Sequence, residues 1–247
     1  MDLAKRELRE TGPHGTVILA EEMTSGRGRS GAKWVSPDEG NLYLTLLLRA
    51  AGSGSLNQDR RVQVNLATPL AVAGGIAELV PNLQPKLRWP LTVEVGGRKV
   101  SGALIEIHNQ DGLEHFAVGV GINVNADFCN NQSFSQAVTS LRCAAQTVMD
   151  RELLLAKICD NLEEHISTPS VHELKQRYLA WPSDTSIGSA VSLLNKTSKD
   201  LILDGVVTGL TNSLALVVQA SNGSNIEVLG TGSITVFPQG HLYKTEL

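Results

Sequence analysis

Cysteine is scarce in this chain, with three in 247 residues. Cys129, Cys143 and Cys159 are odd in number and lack metal-ligand spacing. That excludes a disulfide framework of the small secreted kind and predicts free thiols in a reducing compartment. An excess of positive charge is missing too. The formal net charge is −4 and the pI about 5.9, which argues against general nucleic-acid binding. No continuous apolar run nears the roughly 18 residues needed to span a bilayer. The first residues, Met1-Asp2-Leu3-Ala4-Lys5-Arg6, are too charged for a secretory signal. These absences predict a cytoplasmic protein, and the three N-x-S/T sequons at Asn131, Asn195 and Asn222 then carry no meaning. No helix-turn-helix pattern precedes the first glycine-rich stretch, so DNA is not an expected partner.

What the chain has is Gly26-Arg27-Gly28-Arg29-Ser30-Gly31-Ala32-Lys33-Trp34-Val35-Ser36-Pro37. Glycine lets a backbone approach a ligand closely, and Arg supplies a rigid fork of donors suited to carboxylate or phosphate. The pattern points to an anionic ligand; the plain alternative is a solvated surface loop. Gly26, Gly28 and Gly31 also fit the dinucleotide fingerprint G-x-G-x-x-G, but the third glycine should open a helix. Here Trp34, Ser36-Pro37 and Asp38-Glu39-Gly40 break any helix, and Leu42–Leu48 reads as a strand.

The length permits one large domain or two unequal ones. The pattern predicts a helix over 3–10 and strands over 16–20 and 42–48, with a flexible Gly52-Ser53-Gly54-Ser55 loop following. A helix is predicted over 66–80 with Pro69 in its first turn. Strands over 91–95 and 100–107 are joined at Gly96-Gly97-Arg98, a hairpin signal. A strand over 116–124 holds Gly119, Gly121 and Asn123; glycine inside a strand marks close approach by a ligand or another backbone. Asp150 caps a helix over 151–166 whose apolar face reads Leu155, Ile158, Leu162 and Ile166. Another helix, over 171–179, ends at Trp181-Pro182. Beyond a boundary near Pro182-Ser183, five short alternating strands between 184 and 237 predict a small all-β barrel.

Taken in order, these stretches resemble the biotin protein ligases. Gly26–Leu42 satisfies the family's G-R-G-R-x-G-x-x-W-x-S-P-x-x-x-N-L loop. Arg88-Trp89-Pro90 begins K-W-P-N-D, Arg98–Glu106 matches R-K-x-x-G-x-L-x-E, and Gly119–Asn125 matches G-x-G-x-N-x-N. The resemblance covers nearly the whole chain and lacks the family's optional N-terminal DNA-binding domain. It implies an α+β fold: a class II aminoacyl-tRNA synthetase-like mixed sheet with flanking helices over 1–182, and an SH3-like β-barrel over 183–247. It implies ATP-dependent formation of biotinyl-AMP, with Mg²⁺ accompanying ATP, then transfer of biotin to a lysine of a carboxylase's biotin carboxyl-carrier domain. A monomer or homodimer away from membranes is expected.

By position, Arg29 and Lys99 are the expected catalytic residues. Gly26, Arg27, Arg29, Lys99 and Gly102 would bind biotin, Trp34 and Asn123 would bind the adenylate, and no protein metal ligand is expected. The bland readings are a solvated hairpin lysine for Lys99, plain core for Trp34 and a buried strand-end amide for Asn123. The chain departs from the family at four places. No Ser-Thr-Asn precedes the first helix, where Met1 stands; Met23 replaces a biotin-binding glutamine; Leu91 and Thr92 replace the Asn and Asp of K-W-P-N-D. A thioether is a weak acceptor and donates nothing, and neither Leu91 nor Thr92 offers a carboxylate. The alternative function is therefore a catalytically impaired ligase-like protein that binds a nucleotide, an acid or the carrier domain without turnover.

Overall fold

The computed structural model describes residues 1–10, 12–35, 40–49, 58–129, 138–230 and 233–239. The Ser36–Glu39 helix breakers, the Gly52–Ser55 loop and the Asn131 sequon lie outside the described residues. The first helix, α1 (Asp2–Arg9), leads into strand β1 (Val17–Ala20) and then β2 (Leu42–Leu48), whose bounds are those the sequence predicts. Next come α2 (Gln58–Leu79), β3 (Lys86–Arg88), β4 (Thr92–Val95), β5 (Arg98–Gln110) and β6 (Leu113–Ile122). Helices α3 (Leu141–Ala145), α4 (Arg151–Ser167) and α5 (Val171–Ala180) follow. The chain ends in β7 (Ala190–Asn195), β8 (Leu201–Leu210), β9 (Leu216–Ala220), β10 (Asn225–Val228) and β11 (Ile234–Pro238).

Two sheets result: six strands in the order β1-β2-β6-β5-β4-β3, and five in the order β10-β9-β8-β7-β11. The expectation of a mixed first sheet is corrected. Every strand pair is antiparallel, because each connection within the sheet is either a hairpin or a helical return that reverses direction. The Gly96-Gly97 signal gives the β4–β5 hairpin, both residues sitting at positive φ as a type I′ turn requires. Among the described residues, parallel contact survives only as isolated bridges, Leu87 with Ser183 and Lys99 with Val138.

Alternation along β2 divides the first sheet's two faces. Leu42, Leu44, Leu46 and Leu48 join Phe116, Val118, Val120 and Ile122 in the main core, covered by α2 and α4. Leu47 and Ala117 face the other way, under Ala4 and Leu8 of α1.

Helix α2 starts well before the predicted residue 66, and Pro69 lies in its interior rather than its first turn. An interior proline removes one ladder bond and costs ~3 kcal/mol. Continuous burial from Leu66 to Ile76 offsets that cost. The helix is long and apolar enough by composition to cross a bilayer, contrary to the expectation from continuous runs, but 72% of its most apolar window is buried in the protein. In α4, Asp150 caps Leu153 N–H as predicted, at 2.9 Å. The buried face is Leu154, Ile158, Leu162 and His165; Leu155 and Ile166 flank it, half-buried.

The free-thiol expectation fails for two of the three cysteines: Cys129 and Cys143 form a disulfide, and Cys159 remains a thiol. Sequence spacing hides this pair because its two arms meet only through the docking of α3 beside the end of β6.

Candidate active site

The site lies on the α1 side of the first sheet and is built from cross-strand rows. Register places Tyr43, Gly121, Gly102 and Thr92 side by side across β2, β6, β5 and β4. The next row is Thr45, Gly119 and Leu104. Gly121, Gly102 and Gly119 in the middle of these rows leave a trough where three side chains would otherwise stand.

The loop over 26–34 closes above the trough. Trp34 N–H donates to Gly26 O at 3.0 Å, Gly28 N–H to Ala32 O at 2.7 Å, and Arg27 bridges Lys33. A single 3₁₀ turn over Arg29–Gly31 reverses the chain. This brings the Trp34 indole flat over the glycine pair. A Cβ on Gly121 would lie 2.7 Å from the ring, and one on Gly102 would lie 3.1 Å from it. Lys99 Nζ sits 5.0 Å from the centre of the same ring, in cation–π range. Trp34 Nε1 is buried without a hydrogen-bond partner among the described residues, an arrangement that costs free energy until an acceptor arrives.

Beneath the loop is a cavity of about 280 Å³ lined by Met23, Arg27, Arg29, Leu91, Thr92 and Lys99, among others. All three side-chain departures, at 23, 91 and 92, thus face it. Met1 projects into the wall, its sulfur 3.5 Å from Thr45 Oγ1 and pressed against Gly119.

The predicted cations differ in their surroundings. Arg27 is half-exposed and paired with Asp2 at 2.6 Å. Arg29 is desolvated, and its hydrogen bond among the described residues goes to Gly230 O of the second sheet's segment, at 3.2 Å. Burial, and then the charge of Arg88, lower its pKa, although a guanidinium stays protonated. Asn123 is not in the cavity wall. It is 3% exposed, donates to Thr139 O at 3.1 Å and accepts from Leu141 N–H through its own carbonyl. The described geometry gives it the strand-end role.

Sequence reasoning missed a second cavity of about 710 Å³ between the sheets, where Arg29, Lys99, Lys196 and Lys199 converge. Burial, then the charges of Arg29 and Lys199, lower the Lys196 pKa. No carboxylate lines this cavity among the described residues. Lys196 and Lys199 sit on an ordinary surface-turn pattern, so no local signal flags them. Thr45, the one polar residue inside the apolar run of β2, is a signal that was available.

Arg88-Trp89-Pro90 connects the two sheets. Trp89 belongs to the second sheet's core, with Nε1 donating to Leu214 O at 3.0 Å and its backbone N–H to Thr185 Oγ1 at 3.1 Å. Arg88 pairs with buried Glu94 at 2.6 Å and lies over the Phe237 ring.

The site is thus a glycine-floored trough on an antiparallel sheet, closed by an Arg-Gly loop and edged by Arg27, Arg29 and Lys99, a geometry and charge suited to an anionic ligand. The chain belongs to the biotin/lipoate A/B protein ligase family, whose family model matches residues 1–123. It is similar to the bifunctional ligase/repressor BirA of Bacillus subtilis, 26% identical over 215 residues, covering 85% of this chain and 63% of that protein. It is also similar to the biotin–[acetyl-CoA-carboxylase] ligase of Mycobacterium tuberculosis, 30% identical over 172 residues, covering 67% of this chain and 59% of that one. The chain therefore spans about three fifths of the length of these curated relatives. Among solved structures it resembles the biotin protein ligase from Aquifex aeolicus in complex with biotin and ATP. There the TM-score is 0.73 and the identity 26%, covering 95% of this chain and 94% of that one.

Proposed function

We propose that the chain is an ATP-dependent biotin protein ligase. In the first step a biotin carboxylate oxygen attacks the α-phosphorus of ATP, the bond to the bridging oxygen breaks, and pyrophosphate leaves. In the second, the amine of a carrier-domain lysine attacks the acyl carbon of biotinyl-AMP and AMP leaves. The observation that carries this reading is Arg29, a desolvated guanidinium that no carboxylate pairs among the described residues. A buried cation without a counterion is strongly disfavoured unless an anion completes it. In this reading Lys99 holds the carboxylate and the α-phosphate, and Arg29 retains the adenylate between the two cavities. Gly26, Arg27 and Gly102 border biotin, Trp34 borders the adenine, and Asn123 orders the strand end behind it. Fixed positive charge around the reacting oxygens lowers the barrier by positioning and electrostatic stabilisation.

Mg²⁺ would supply charge neutralisation on the triphosphate. With Thr92 in place of an acid and no carboxylate in the larger cavity among the described residues, it would arrive with ATP rather than on a protein cage. The same reading takes residues 1–182 as a class II synthetase-like catalytic unit and 183–247 as an SH3-like barrel. It places the protein in the cytoplasm with a carboxylase carrier domain as partner, as a monomer or homodimer, with neither DNA nor membrane bound. The order of five antiparallel strands in the second sheet supports the barrel assignment.

Biotin-dependent exchange of pyrophosphate into ATP tests the first step, and biotin transfer to a carrier domain tests the second. A second reading, binding without turnover, is favoured by one observation: Met23, Leu91 and Thr92 all line the acid cavity. Exchange absent in the parent but present in the triple variant Met23→Gln, Leu91→Asn, Thr92→Asp would establish that impaired state. Silence in both would sink the ligase reading.

A further inference from the structure

Cys129 and Cys143 stand outside both cavities, yet both arms of their disulfide run directly into the candidate site. On one side, Asn123–Ala126 continue from the end of β6, with Val124 and Ala126 N–H groups both held by Asn41 Oδ1. On the other, Val138–Arg142 form a strap across the site's rear. Thr139 N–H donates to Lys99 O, Arg98 Nη2 to Val138 O, Leu141 N–H to Asn123 O and Arg142 N–H to Val124 O. Ser140 caps α3 through Cys143 N–H. The strap thus grips the backbone of Lys99 and Asn123 together, and the disulfide clamps its far end to the β6 arm.

The surroundings of the pair are unlike those of a structural staple. The main core does not include it; among the described residues a small cluster of Ala126, Phe128 and Cys143, with Val138 packed on it, surrounds the buried sulfur. Cys129 is exposed while Cys143 is buried. An attacking small thiol therefore reaches one sulfur and expels the other, the asymmetry that makes a disulfide exchangeable. The third cysteine, Cys159, lies on α4, and burial raises its thiol pKa, so it is a poor competitor.

We propose that Cys129 and Cys143 form a reversible redox modification site that tightens the Val138–Arg142 strap against Lys99 and Asn123. Its co-reactant is a small-molecule disulfide. The Cys129 thiolate attacks that disulfide, breaks its S–S bond and releases one thiol, leaving a mixed disulfide on Cys129. The Cys143 thiolate then attacks the Cys129 sulfur and releases the second thiol. The two cysteines lose two electrons together, and the small disulfide gains them. Reduction by thiol runs the same steps backwards. A bond that closes the strap's ends removes open conformations from its local ensemble.

The consequence for ligand affinity rests on the ligase reading; the modification itself does not. Full-length protein is prepared reduced and after incubation with oxidised glutathione. Thiols are counted, amide exchange of Thr139–Arg142 is followed, and ATP binding is measured by calorimetry. The proposal expects three reactive thiols falling to one, with Cys159 surviving. It also expects strap exchange slowed on the order of tenfold by oxidation, and tighter ATP binding in the oxidised form. Cys129→Ser, a change at an exposed position, should fold and hold the slow-oxidation response at zero. Thiol counts unchanged by the oxidant, or strap exchange identical in both states, overturn the proposal. A strap that responds while ATP binds neither form supports the redox site and removes the ligase reading instead.

Discussion

The two sheets are built from the same alternating pattern but differ in how far each supports itself. Among the described residues the first gathers 29 buried apolar side chains from strands and helices. The second gathers eight, and the largest of these, Trp89, comes from the first sheet's edge. A unit of this size buries too small a share of its surface to be stable by a wide margin. Borrowing one large aromatic raises its buried area and makes its folding conditional on its neighbour. The loan also runs the other way. Gly230, beside Pro90 in the second sheet's segment, accepts the hydrogen bond from Arg29. The smaller region therefore holds a residue of the site that the larger one carries.

The largest expected effect breaks that link. Trp89→Ala should cost ~3–5 kcal/mol, the range for removing a buried large aromatic. The loss should fall on the second sheet first. Denaturant unfolding followed by amide exchange is expected to show β7–β11 opening before the first sheet, and Arg29 losing its Gly230 contact. An unchanged midpoint, with both sheets opening in the parent's order, would show that Trp89 does not tie the second sheet's stability to the first.

Much of this division was legible in the chain. Strand β2 has its predicted bounds because a seven-residue apolar run buried on both faces has little freedom to be anything else. The Gly96-Gly97 hairpin, the Asp150 cap and the five short strands followed from turn and cap chemistry that acts within a few residues. Misses arose where distant partners decide. Pro69 reads as a helix start, and only tertiary burial carries the helix through it. The α4 face rotated by part of a turn to meet α2. The same holds for the site. The glycines announced themselves locally and Lys99 only through the family resemblance, whereas Trp34 as the occupant of the glycine trough, and Lys196 and Lys199 in the wall of the larger cavity, depend on how separate segments meet.

A smaller effect sharpens the comparison at the trough. Lys99→Ala removes a charge from the wall shared by both cavities and should weaken ATP or acyl-adenylate binding by ~1–3 kcal/mol, the worth of a charge-assisted hydrogen bond. Stability should hardly change, because the variant removes no core group. Calorimetry with unaltered affinity would make Lys99 a bystander beneath Trp34.

The smallest effect separates the regions by pH. Burial is the first cause lowering the pKa of His108, His115 and His165, all of them in the first sheet or the helices that cover it. The second sheet carries no histidine among its described residues. A histidine whose folded pKa is depressed binds fewer protons folded than unfolded. Its contribution is therefore complete above the unfolded pKa near ~6.5 and is lost as pH falls through the lower folded value. Acidification below neutrality should thus act directly on the first region, whereas the second sheet, with no histidine among its described residues, should weaken only through the neighbour that lends it Trp89. His165 has the clearest share, being 8% exposed with Nδ1 lacking a partner among the described residues. His165→Gln, neutral throughout this range, should flatten part of the fall in melting temperature between pH 7.5 and 5.5. If the variant's pH dependence matches that of the parent, the histidine in α4 does not couple protonation to the stability of the larger core.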